Sequence, residues 1–85
     1  MKYSVKKEIF DIDLEDKKIL LDSNSGRYIE LNSTAASIFQ FIKKENKSFE
    51  QITEFICGEY DVTFEQASNE IRSLLKKYPN IFTCS

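Results

Sequence analysis

The side chains able to do chemistry are few in this chain of 85 residues, and their spacing argues against catalysis. There is no histidine, so the usual general base near neutral pH is missing. The two cysteines, Cys57 and Cys84, are far apart in sequence and do not supply the four ligands of a zinc site. They are expected to be free thiols, Cys57 half-buried on a helix and Cys84 on the tail. Asp11 and Asp13 lie two apart, the spacing of one strand face. They are read as a solvated face in preference to a cation site. The only glycines, Gly26 and Gly58, form no phosphate-cradling loop. No metal and no cofactor are expected, and the protein is not expected to be an enzyme.

Composition narrows the class further. Hydrophobic residues make up 41% and charged residues 31%, which suits a globular domain. At this length one domain over residues 1–85 is expected, with a modest core. The net charge is −2 and the pI is near 5.1, so general attraction to nucleic acid or an anionic membrane is not expected. No apolar run approaches the roughly 20 residues of a membrane span. Met1-Lys2-Tyr3-Ser4-Val5-Lys6-Lys7-Glu8 carries charge with no apolar stretch after it. No secretory signal is expected there, and a cytoplasmic location is.

The elements are organised around one stretch, Arg27-Tyr28-Ile29-Glu30-Leu31-Asn32-Ser33-Thr34. Gly26 supplies the positive φ of a tight turn before it. Ile29 and Leu31 alternate with Tyr28 and Glu30, the period of a half-buried strand. Asn32 and Ser33 are good N-cap residues, so a helix begins without a linker. Upstream, residues 3–14 contain a strand pattern in which Phe10, Ile12 and Leu14 form the dry face and Asp11 and Asp13 the wet one. Glu15-Asp16-Lys17-Lys18 is a charged turn. Ile19-Leu20-Leu21 and Asp22-Ser23-Asn24-Ser25-Gly26 then read as a strand and a turn, predicting a hairpin within a three-stranded meander.

Downstream, three helices are predicted. The first runs over about 34–44, with Ala35, Ile38, Phe41 and Ile42 on one face and Phe39 at its margin. Ser48-Phe49-Glu50-Gln51 and Thr63-Phe64-Glu65-Gln66 have the form of capping boxes opening the second and third. The third carries Phe64, Ala67, Ile71, Leu74, Leu75 and Tyr78 on one face, and Pro79 stops it. Ile81 and Phe82 are expected to fold back onto the core, with residues 83–85 frayed. The fold class is α+β: a small three-stranded antiparallel sheet followed by three helices, in a winged helix-turn-helix-like arrangement.

Gly26-Arg27-Tyr28-Ile29-Glu30-Leu31-Asn32-Ser33-Thr34-Ala35, the second helix with Ile52 and Ile56, Tyr60-Asp61-Val62, and the third helix with Ile71, Leu74 and Leu75 resemble the PqqD-like proteins. These are recognition elements in the biosynthesis of ribosomally made, post-translationally modified peptides. The resemblance covers roughly residues 17–82 and departs at residues 43–47, where many relatives have an acidic-glycine turn. It implies a non-catalytic domain that binds the leader of a precursor peptide and presents it to a modifying enzyme. Stand-alone members of this size serve a radical enzyme in the PQQ pathway or a leader peptidase in lasso-peptide pathways.

An edge strand offers unpaired backbone groups, so the leader is expected to add as a strand beside Arg27, Tyr28, Ile29, Glu30 and Leu31. The third helix would wall the groove. Its apolar face, Ile71, Leu74, Leu75 and Tyr78, is wider than a thin core needs. Ile71 and Leu74 with Ile29 are expected to receive apolar leader residues, and Arg72 or Lys76 to pair with leader carboxylates. The competing class is a winged-helix DNA-binding regulator, with the third helix in the major groove. That helix mixes Arg72, Lys76 and Lys77 with Glu65 and Glu70, where a DNA binder needs a basic face.

Overall fold

A computed structural model describes residues 1–15 and 17–85. The charged turn expected at 15–18 falls partly on Asp16, outside the described residues. Lys17 and Lys18 already belong to a strand. The elements run β1 (Tyr3–Val5), β2 (Ile9–Leu14), β3 (Lys17–Asp22), β4 (Arg27–Leu31), α1 (Ser33–Lys44), α2 (Phe49–Glu59), α3 (Phe64–Lys77) and β5 (Phe82–Cys84). β2, β3 and β4 form an antiparallel meander with β3 in the centre. The three helices follow it, as the alternation and capping signals predict.

Two short strands depart from that outline. The strand pattern over residues 3–14 breaks at Lys6, and β1 leaves the meander to pair with β5. The tail is therefore held where fraying was expected: Ser85 N donates to the carbonyl of Lys2 at 3.0 Å, and Lys2 N to that of Ser85 at 2.8 Å. Ile81 and Phe82 are buried in the core, as expected.

Local chemistry sets the element ends. The β3–β4 turn is an Asx turn: the Asp22 carboxylate accepts from Asn24 N at 3.0 Å. Its carbonyl accepts from Gly26 N at 2.7 Å, and Gly26 holds φ of 73°, which a side chain would strain. Asn32 caps α1, its side-chain oxygen accepting from Ala35 N at 2.8 Å. Ser48 with Gln51 and Thr63 with Gln66 complete both capping boxes.

The core lies between the helices and one face of the meander. Leu20 and Leu31 from the sheet meet Ile38, Phe39 and Ile42 of α1, Ile52 and Ile56 of α2, and Ala67 and Ile71 of α3. Phe39, expected at the margin of α1, is fully buried and meets Phe82 edge-on. Phe41 is the marginal one, stacked on Phe55 with ring centroids 4.1 Å apart. On α3, Phe64 is exposed and does not join the face assigned to it.

The orientation of β2 is the reverse of the expectation. Phe10, Ile12 and Leu14 point to solvent, 57%, 47% and 49% exposed. Asp11 points under α1 and pairs with Lys18 at 3.0 Å and with Lys43. Lys18, itself buried, also reaches Asp13 at 2.7 Å and Gln40 at 3.2 Å. Burial opposes charge on Asp11, yet hydrogen bonds from Lys43 and Lys18 hold its carboxyl below its usual range. Burial likewise opposes charge on Lys18, and its bonds to Asp13 and Asp11 outweigh this and raise its pKa. Asp11 and Asp13 are thus members of an ion-pair cluster; the solvated strand face expected of them holds for Asp13, whose side chain is 75% exposed, and fails for Asp11, at 12%.

Candidate functional site

β4 is an edge strand. Among the described residues it pairs only with β3, through Lys18–Leu31, Leu20–Ile29 and Asp22–Arg27 and the pairs between them. Its other side leaves backbone N–H and C=O groups free to pair with an added chain. Tyr28 and Glu30 point outward, and Ile29 and Leu31 inward, as the alternation predicts.

Beside this edge lies a cleft of about 280 Å³. Its near wall is Glu30 and the start of α1, Asn32, Thr34, Ala35 and Ile38. Its far wall is Glu70, Ser73, Leu74 and Lys77 of the C-terminal half of α3, with the C-cap residue Tyr78. The strand-to-helix junction at Asn32 creates the near wall, because the capped helix leaves the strand without a linker. The i, i+3, i+4, i+7 run of Glu70, Ser73, Leu74 and Lys77 places the far wall on one stripe of α3. The cleft has an apolar floor at Ala35, Ile38 and Leu74, with charge of both signs around it.

The structure brings together some of the expected site residues and separates others. Arg27, Tyr28, Ile29, Glu30 and Leu31 lie on the edge strand, with Leu31 itself buried. Leu74 and Tyr78 line the cleft. Ile71 is 0% exposed and serves the core. Arg72 and Leu75 lie on the opposite side of α3 with Tyr3 and Phe49, around a second hollow. There the Arg72 guanidinium sits 5.1 Å from the Phe49 ring centre. Lys76 is exposed and lines neither hollow. The cation at the cleft is Lys77, which also lies over the Tyr78 ring. Sequence reasoning missed Asn32, Thr34, Ala35 and Ile38 because it stopped the site at the end of the strand, and missed Glu70, Ser73 and Lys77 because it took the apolar stripe of α3 with Arg72 or Lys76. The polar residues that border that stripe at helical spacing were the available signal.

A family model for the coenzyme PQQ synthesis protein D, PqqD, matches residues 17–78, from the first residue of β3 to the end of α3. The chain belongs to the PqqD family. The matched region contains both walls of the cleft and the whole of β4, so the PqqD fold is what places them side by side. Among solved structures, a lasso peptide synthetase B1 complexed with the leader peptide is 27% identical, with a TM-score of 0.84. That alignment covers 99% of this chain and 100% of the other. TbiB1 in complex with the TbiA(beta) leader peptide is 23% identical with a TM-score of 0.83, over 91% of this chain and 88% of the other, a likeness of fold. No curated protein sequence matches the chain significantly.

Proposed function

We propose that this PqqD-family protein binds the leader segment of a ribosomally synthesised precursor peptide and presents it to a modifying enzyme or leader peptidase. The leader adds as a strand to the free edge of β4, and α3 forms the opposite wall. The observation that carries this reading is the free edge opening onto a cleft with an apolar floor. Strand addition satisfies the edge N–H and C=O groups, while side chains at every second position enter the cleft and give specificity. Leu74, Tyr78 and Ile38 suit an apolar leader residue, and Lys77 a carboxylate beside it. The likeness to a lasso peptide synthetase B1 solved with its leader peptide supports the same reading. The protein acts without catalysing a step itself, so incubation with the precursor alone leaves the peptide mass unchanged.

Amide chemical-shift mapping with the precursor's synthetic leader tests the mechanism directly. Perturbation is expected at Arg27 to Leu31, in the first turn of α1 and at Glu70 to Tyr78. Perturbation confined to α1 and α2, sparing β4, would overturn strand addition. On the DNA alternative, the charges on α3 stay mixed in sign and the chain is acidic. A gel-shift titration at physiological salt is expected to give no site-specific complex.

A further inference from the structure

The outer face of the meander meets the leader cleft only at Glu30, and among the described residues it carries four of the six exposed large hydrophobic side chains, Phe10, Ile12, Leu14 and Tyr28. Phe10 lies across from Leu21, and Leu21 from Tyr28. Ile12 lies across from Ile19, and Ile19 from Glu30. Leu14 continues the row on β2. The core elements α1, α2 and α3 contribute their buried side chains to the other face, with Leu20 and Leu31. Phe10, Ile12, Leu14 and the 69%-exposed Tyr28 leave on the order of 400 Å² of apolar surface open, a size often functional on a monomer. The charged pair on this face, Lys17 with Glu30 at 3.3 Å, is internally matched.

We propose that this outer face is the docking surface for the enzyme that acts on the bound peptide, and that the peptide strand completes it. The inference rests on strand addition at β4. Side chains of an added strand alternate between the two faces of the sheet. Those pointing inward enter the cleft beside Leu74, and those pointing outward lie next to Tyr28 and Glu30. The outward ones prolong the row Phe10–Leu21–Tyr28 by one strand, about 4.8 Å. The occupant therefore has an apolar, sparsely charged surface that touches the sheet and the peptide at once. A second copy of this chain fits less well. A stable dimer buries about 800 Å² on each partner, roughly twice what the patch offers. A partner reaching across onto the peptide strand gains the missing area only when the leader is bound. Enzyme recruitment and leader binding are coupled as a result.

Phe10→Lys and Ile12→Lys test this, since both side chains are exposed on β2 and neither lines the cleft. Leader affinity is read by anisotropy of a labelled synthetic leader. Enzyme affinity is read on the immobilised peptidase or modifying enzyme that acts on the same precursor, with and without leader. Both variants are expected to bind leader within twofold of the parent chain and the enzyme at least tenfold more weakly. Leader is expected to tighten enzyme binding to the parent chain several-fold. Lysine at an outward-facing leader position is expected to remove that gain while sparing leader binding. Enzyme affinity indifferent to both substitutions, with leader binding intact, overturns the docking surface alone. A parent dimer in sedimentation that Ile12→Lys dissociates, with enzyme affinity unchanged, assigns the face to a second copy and also overturns it. Failure of the parent chain to bind leader overturns strand addition and this inference together.

Discussion

β2 and β4 are the two edges of one three-stranded sheet, and they differ in the side chains that lie beneath them. On β2 the inward positions are Asp11 and Asp13, locked to Lys18 and, from α1, Lys43. Inward-pointing charge is a recognised way to keep an edge from pairing. A strand added there would set its inner side chains against a charged cluster. On β4 the inward positions are Ile29 and Leu31, and beyond them is the cleft floored by Leu74 and Ile38. Both edges expose backbone groups, so the backbone does not choose between them. Under the proposed strand addition, the side chains beneath each edge do.

Proline substitution is the sharpest way to break that contrast. In β4, one of Tyr28→Pro and Ile29→Pro removes an N–H that points away from β3. That variant is expected to lose measurable leader binding while keeping its circular dichroism spectrum. The other removes a ladder bond to β3 and is expected to melt earlier. The matching pair on β2, Asp11→Pro and Ile12→Pro, is expected to leave the folded protein's leader affinity unchanged. Loss of binding from the outward-facing β2 position would mean that the peptide uses both edges.

Removing the charge cluster separates stability from binding. Lys18→Ala leaves Asp11 with Lys43 alone and Asp13 to solvent, and losing such charged hydrogen bonds costs about 1.5–3 kcal/mol. For a domain of this size that lowers the melting temperature by roughly 6 °C or more. Leader affinity measured below the new transition is expected to be unchanged. Acid titration reads the same cluster. Because Asp11 has a lowered pKa, its contribution is complete above the unfolded value of about 3.9 and is lost as pH falls through the lowered folded one. Asp11→Asn should therefore flatten the fall in urea midpoint below about pH 4. Lys18 has the opposite sign: its contribution is complete below about 10.4 and is lost as pH rises through its raised folded value.

Leu74→Ala probes the open side. Leu74 is already nearly buried, so the leader adds little burial to it; truncation instead hollows the cleft floor beneath the leader, and at about 1 kcal/mol of lost contact leader affinity should fall about fivefold. Leu74 is 8% exposed and also supports the core, so melting must be followed alongside. Ile71→Ala supplies the reference. Fully buried and away from the cleft, it should cost stability with little change in the affinity of the folded fraction.

The same contrast explains what could be read from the chain. The turn, β4 and the cap of α1 are local: Gly26, the Ile29–Leu31 alternation and Asn32 act within a few residues. Alternation along β2 separates two faces but does not say which is inside. Hydrophobicity favours Phe10, Ile12 and Leu14, and the answer came from Lys18 and Lys43, 7 and 32 residues from Asp11. Those partners meet only in the folded chain. The cleft wall on α3 was half legible for a similar reason. Leu74 and Tyr78 belong to an apolar stripe, whereas Glu70, Ser73 and Lys77 look like any solvated flank until β4 is placed opposite them.

The smallest effect bears on the two sides of α3. Lys77 stands at the cleft, and Arg72 stacks on Phe49 across the helix. Lys77→Gln removes the cation nearest the added strand. An exposed ion pair is worth about 0.2–1 kcal/mol, so leader affinity should weaken by about 1.4- to fivefold. The loss should shrink as salt rises, because exposed charges are screened within about 10 Å at 0.1 M. Arg72→Gln should leave affinity unchanged at every salt concentration, since its hollow faces β1 and α2. Its effect should appear instead as a slight loss of stability from the Phe49 contact. An Arg72 effect on leader binding that exceeds that of Lys77 would put the peptide on the wrong side of α3. Titrating the two variants with one leader at two ionic strengths decides between the sides.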